Sequence, residues 1–450
     1  MRFKQNFTSI SVTAALLITS GSSFGQSYFN RTAASVFTGS ARSMAMGFTS
    51  SVSDRSSGIL LSNPAGLADA AAGIGLDFQS RGTLISERRS MDMMDTFGDF
   101  LTSGDYVINR NNDFAAQGGA VYGTHLAGQR FGFGISFGQL TNFNYQYREE
   151  VRGRLSPADG VIDNRDPLLG YHVYTTAGDL NHFSLGTAVG VELSKSLVFS
   201  VGFSYHFISA GDFIEEFYVD TILTTSNYLA GVAEQRLNTN FPGNEEFTIG
   251  FSLRTSLGLS INFAFDSDYT VKTDSVIMPS FGTDAGLPIY ANYAPTVGQV
   301  IDYADGMQQV FGATRRLGLD YQTVGEVPMT VAFEWQRTTG YTLALTDTSL
   351  KMPAVNSWKF GFEYLAMKEI PVRAGLEFRE SPFAAIGPTS IYTFGTGKQI
   401  GDFTIDVAGG FASTTYDYPD LFPVTGDVRP DLDHVTESRI DVLISVSYSL

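Results

Sequence analysis

The sequence predicts an all-β protein: a 14-stranded antiparallel transmembrane β-barrel with an N-terminal hatch inside the lumen. Three observations carry that expectation. Apolar residues alternate with small or polar ones over segments of about 10–16 residues, longer than the roughly 5–6 usual in soluble sheets. The connections between these segments alternate between tight and long. Charged residues make up only 17% of the 450-residue chain against roughly 25% in a soluble domain, while Gly (47), Phe (36) and Tyr (21) are abundant.

The same composition removes several classes. A net charge of −17 disfavours nucleic acid, which selects basic surfaces. The absence of cysteine removes disulfides, thiolate metal sites and Cys nucleophiles together. No run reaches the roughly 18–20 apolar residues of a membrane-crossing helix, so the apolar residues are dispersed.

Residues 1–25 read as a signal peptide. Arg2 and Lys4 precede a mainly apolar stretch from Ile10 to Thr19, and Ser23-Phe24-Gly25 supplies small residues for the peptidase, so the mature chain is expected to begin at Gln26. The barrel is expected over 73–450. Its strands fall at 73–86, 112–125, 129–147, 182–194, 197–212, 245–256, 258–273, 313–323, 329–343, 356–366, 371–380, 390–398, 402–417 and 437–450. In the fifth, Leu197, Phe199, Val201, Phe203, Tyr205 and Phe207 alternate with residues such as Ser200, Gly202 and Ser204. Tight turns at Ala127-Gly128, Lys195-Ser196, 325–328, 368–370 and 399–401 interleave with long connections at 148–181, 213–244 and 274–312. Short periplasmic turns and long outer loops give an outer-membrane barrel this asymmetry. The even count returns both ends to the periplasm, and Ile440 to Leu450 form a terminal stripe of the kind that barrel-assembly machinery engages.

A barrel of this size leaves a lumen that something must fill. The expected occupant is 26–72, rich in Ser, Ala and Gly. Its Ala41-Arg42, Met46-Gly47 and Asn63-Pro64-Ala65-Gly66-Leu67, with the strand count, give the mature chain a resemblance to the FadL-type outer-membrane hydrophobic-compound transporters and their PorV/PorQ-like relatives. The resemblance implies a hatch that plugs the barrel, with Asn63, Pro64 and Ala65 as hatch residues. It also implies passive transport of small hydrophobic molecules, long-chain fatty acids or hydrocarbons, across the bacterial outer membrane, with lipid and apolar ligand as partners. The alternative is a PorV-like scaffold in protein secretion and surface attachment.

Charge of both signs is expected on the inward face. If the turn near Lys368 is tight, Glu363 faces Arg373 and Lys359 faces Glu377 across one register. Helical spacing appears in three outer loops, at Met94, Phe97 and Leu101, at Leu229, Val232, Ala233 and Leu237, and at Val297, Val300, Ile301, Met307 and Phe311. Such stripes either pack on one another and on the barrel rim or, as the FadL resemblance implies, flank a groove where an apolar molecule first adsorbs, which makes Leu229, Val232, Val297, Val300, Met307 and Phe311 the candidate ligand-binding residues. In strand 3, Gln139 and Thr141 interrupt the outward stripe before Phe143, Tyr145 and Tyr147 restore it, while Leu140 points inward beside Gly138. Gly138 to Thr141 are thus a candidate lateral portal, matching a kinked third strand in the FadL resemblance. No catalytic site is expected. Gly134-Ile135-Ser136-Phe137-Gly138 lies within a strand, not at a nucleophile elbow, and the five histidines lack metal-ligand spacing, so neither metal nor cofactor is expected.

Overall fold

The computed structural model describes residues 37, 39–152, 168–209, 211–221, 235–241, 243–272, 276–279, 300–303, 308–323, 328–340, 342–345, 348–351, 353–366, 370–382, 386–418 and 432–450. The signal peptide and the start of the expected hatch lie outside them.

Fourteen strands form the wall: β1 (Gly73–Met94), β2 (Phe100–Leu126), β3 (Gln129–Asn142), β4 (Leu168–Ser194), β5 (Leu197–Ile208), β6 (Asn244–Thr255) and β7 (Leu259–Asp266), then β8 (Thr314–Gln322), β9 (Met329–Thr338), β10 (Val355–Ala366), β11 (Ile370–Arg379), β12 (Thr389–Ile400), β13 (Phe403–Tyr418) and β14 (Asp433–Ser449). Each pairs antiparallel with the next, and β1 pairs with both β2 and β14, so the barrel is closed and has no edge at its seam. The β2–β3 turn shows why a two-residue hairpin fits: Ala127 (φ 51°) and Gly128 (φ 77°) both adopt the left-handed conformation that matches strand twist.

The wall inverts the order of a soluble protein. Phe133, Phe137, Phe203, Phe263, Phe360 and Ile444 are exposed on the outside, whereas Ser136, Ser204, Asn262, Lys359 and Ser445 are buried inside. Lipid is the solvent that rewards this arrangement. Neighbouring outward rings also stack, as Phe203 does on Phe247 at 6.2 Å.

Beyond the membrane the hairpins continue outward as strands, which corrects the helical expectations. Met94 ends β1 and Leu101 lies in β2, and the turn around Phe97 is closed by Asp95, whose carboxylate accepts the Phe97 and Asp99 amides at 2.8 and 2.9 Å. Val300–Tyr303 is a strand paired with Val276–Pro279, and Gln308–Phe311 pairs with Tyr269–Lys272. Leu237 lies in the strand Gln235–Phe241. Pairing satisfies the backbone groups that face the neighbouring strand, and β-branched Val and Ile favour it.

The N-terminal segment from Ser40 to Asp69 packs against the inner wall, which is shaped to receive it. Gly361 and Gly375 face each other across β10 and β11, and a Cβ on Gly375 would fall 2.0 Å from the Gly47 nitrogen. Charged and polar anchors surround these seats. Arg42 grips Glu363 with two bonds of 2.9 and 2.7 Å, and Ser51 donates from its amide and hydroxyl to Glu334 at 2.8 and 2.6 Å. Ser57 does the same to Asp77.

Candidate functional site: a lumenal cavity at an interrupted wall

Above the N-terminal segment lies a cavity of about 290 Å³. Phe37, Phe48 and Leu61 rise into it from the segment, Ile391 from β12, and Tyr269 and Phe311 from the hairpins continuing outward. A polar arc completes the lining, including Arg81, Glu246, Arg316, Lys359 and Glu377. Leu140 and Thr141 also line the cavity, so it reaches the wall where the wall is weakest.

At that place β3 parts from β2. Gln117 opposite Gly138 is their last pair, whereas β3 continues along β4 with one residue skipped: Gln139 faces Asn181, Thr141 faces Leu180, and Leu140 has no partner. A bulge of one residue reverses every later side chain. Thr141, Phe143, Tyr145 and Tyr147 are accordingly buried inside, which corrects their expected outward register. The segment Tyr145–Arg152 then pairs with β4 alone. Side chains of β2 bridge the gap: Asn111 Oδ1 accepts the Gln146 amide at 2.9 Å, Asn109 Oδ1 accepts the Arg148 amide at 3.2 Å, and Asn142 donates to Asp113. Gln139 lines a narrow crevice with Gln117 and Arg81, and its side-chain oxygen is buried without a partner among the described residues.

The outer end of this side is packed with polar groups. Arg89 donates to Glu87 at 2.8 Å, Tyr145 donates to the other Glu87 oxygen at 2.6 Å, and the Arg89 guanidinium lies 5.0 Å from the Tyr147 ring centre. Ion pairs line the rest of the lumen. Glu363 does face Arg373 and bonds it at 2.6 Å. Lys359 faces Glu377 as expected but turns its ammonium to Glu334, at 2.7 Å on the other neighbouring strand.

Of the expected ligand-binding residues, Phe311 lines the cavity, and Val300 lies in its short outer strand. Leu229, Val232, Val297 and Met307 lie outside the described residues. Asn63 is fully buried and caps the turn Pro64–Asp69, its Oδ1 accepting the Ala65 amide at 3.2 Å. Its Nδ2 lies 3.4 Å from both the Phe251 carbonyl and Asn262. Sequence reading missed Phe48, Glu246, Tyr269 and Arg316. Strand parity could have marked Glu246 and Arg316 as inward, whereas Phe48 and Tyr269 had no such signal. Ser136 faces inward within β3 and accepts a hydrogen bond from Gln117, and no cluster that could hold a metal occurs among the described residues.

A closed fourteen-stranded barrel, apolar outside and polar within, is an outer-membrane β-barrel, and its architecture is that of the FadL-type channels. A FadL homologue of Pseudomonas aeruginosa superimposes with a TM-score of 0.56 over 92% of this chain and 99% of its own, at 12% identity. The toluene transporter TodX of P. putida superimposes with a TM-score of 0.52 over 92% and 99%, at 15% identity. No protein-family model and no curated protein sequence matches the chain, so the likeness is one of fold.

Proposed function

We propose that this protein is a passive outer-membrane channel for small hydrophobic molecules, in which residues 26–72 act as the hatch. The observation that carries this reading is the continuity of the cavity with the interrupted wall at Leu140 and Thr141. Ligand enters from the outer hairpins past Tyr269 and Phe311, rests above the hatch against Phe48 and Leu61, and leaves sideways between β2 and β3 into lipid. The fold shared with the toluene transporter TodX supports an apolar cargo. The test is uptake of ethylbenzene into proteoliposomes. Uptake above that of protein-free vesicles, lowered by Phe311→Asp in a normally assembled barrel, supports the channel; uptake equal to that of empty vesicles refutes it. The scaffold reading draws on the exposed apolar tip at Met94, Phe97 and Leu101, and it predicts binding of secreted protein without ethylbenzene uptake.

A further inference from the structure

The cavity wall carries five cations, Arg81, Arg316, Lys359, Arg379 and Arg439, against five carboxylates, and two of those carboxylates stand outside its direct ion pairs. Asp266 holds Arg316 at 2.6 Å, Glu334 holds Lys359 at 2.7 Å, and Asp441 holds both Arg81 and Arg439 at 2.8 Å. Glu246 of β6 and Glu377 of β11 line the same cavity, and neither makes a hydrogen bond or ion pair among the described residues. Glu377 is only 8% exposed. Arg379, the remaining cation of the lining, is exposed at the outer end of β11. A carboxylate removed from water without a donor is costly, and a ligand that supplies the donor relieves that cost.

Beside Glu246 the wall is aromatic. Asn244 donates to the Thr270 carbonyl, tying the start of β6 to the strand Tyr269–Lys272, and Glu246 is near enough to Tyr269 to act on it electrostatically. Tyr269 stacks on Phe311, with ring centres 4.5 Å apart and planes inclined by 12°. Ring faces beside a carboxylate are the chemistry that receives an organic ammonium: the carboxylate takes its N–H donors and the rings its positive charge. Phe37, Phe48 and Leu61 then cover the apolar remainder.

Resting on the channel reading, we infer that the cavity binds apolar organic cations, aryl- or alkylammonium molecules, with the ammonium between Glu246 and the Tyr269–Phe311 pair. At that position an apolar anion meets the Glu246 carboxylate and is disfavoured.

Calorimetry on the purified full chain in neutral detergent at neutral pH compares three probes of similar shape: 2-phenylethylammonium, ethylbenzene and 3-phenylpropionate. The ammonium is expected to bind about tenfold more tightly than the carboxylate. Glu246→Gln is expected to weaken the ammonium by about tenfold and to leave ethylbenzene unchanged. Heat-modifiable electrophoretic mobility checks that the variant barrel is assembled. Tyr269→Leu removes a ring without altering charge, and it is expected to weaken the ammonium several-fold, so the inference does not depend on one variant. If ethylbenzene binds while ammonium and carboxylate bind alike, or if neither substitution weakens the ammonium, the inference falls and the channel stands. If none of the three probes binds, both fall.

Discussion

Gly202 of β5 stands directly opposite Gly250 of β6, and the backbone of Asn63-Pro64-Ala65 lies on the pair. A Cβ on Gly202 would fall 2.2 Å from the Pro64 carbonyl carbon, and one on Gly250 2.0 Å from Asn63 Oδ1. Gly132 makes a third seat, under Leu67. The wall therefore selects the N-terminal segment by shape as well as by charge.

Gly202→Val tests that seat. The strand itself favours Val, so the barrel is expected to assemble, but the Pro64 turn cannot sit down against the added methyls. Planar-bilayer recordings should show a larger and noisier conductance than the unsubstituted chain. Unchanged conductance would mean that the segment does not limit the pore.

Glu363 holds Arg42 and Arg373 together, and Arg373 also bonds Asp406 at 2.6 Å. Glu363→Gln leaves two guanidiniums with one fewer carboxylate in a largely buried site. The expected loss is on the order of 3 kcal/mol in urea unfolding of the vesicle-inserted barrel. Arg42→Ala should cost less, since it leaves the Glu363–Arg373 pair intact.

The seam between β2 and the Tyr145–Arg152 segment is held by side chains. Because the chain has no cysteine, Asn111→Cys with Tyr145→Cys, both on the inward face, introduces a single possible cross-link. Oxidation is expected to lower ethylbenzene uptake and reduction to restore it. Equal uptake in both states would place the exit elsewhere.

Asp54 lies buried in the N-terminal segment, where its carboxylate accepts the Ser56 amide and hydroxyl at 3.0 and 2.8 Å and the Ser40 amide at 3.3 Å. Burial pushes its carboxyl above the ordinary range, and these bonds only partly oppose the shift. The folded state then binds the proton more tightly than the unfolded state, so this group's contribution to stability falls as pH rises through and above the usual Asp range. Relative to Asp54→Asn, the unsubstituted chain should lose stability from about pH 4 upward. A stability difference between the two that stays constant with pH would show that Asp54 does not titrate in this window.

The sequence by itself determined the wall. Alternation of apolar with small or polar residues is a local property, set by the period of a strand between lipid and lumen, so all fourteen strands and the pairing of Glu363 with Arg373 could be read in advance. Tertiary structure decided which partner each inward charge takes, because every inward side chain has two neighbouring strands and a segment above it. Lys359 thus reaches Glu334 and leaves Glu377 facing the cavity. It also decided the parity after Leu140: the inverted polarity at Gly138 to Thr141 marks an irregularity in the sequence, but alternation reads Tyr145 and Tyr147 outward, and only the skipped residue turns them inward. The cavity itself belongs to no stretch of sequence. Phe48 from the N-terminal segment, Glu246 from β6 and Phe311 from an outer hairpin meet only once the barrel closes, because closure brings residues distant in the chain to one lumen.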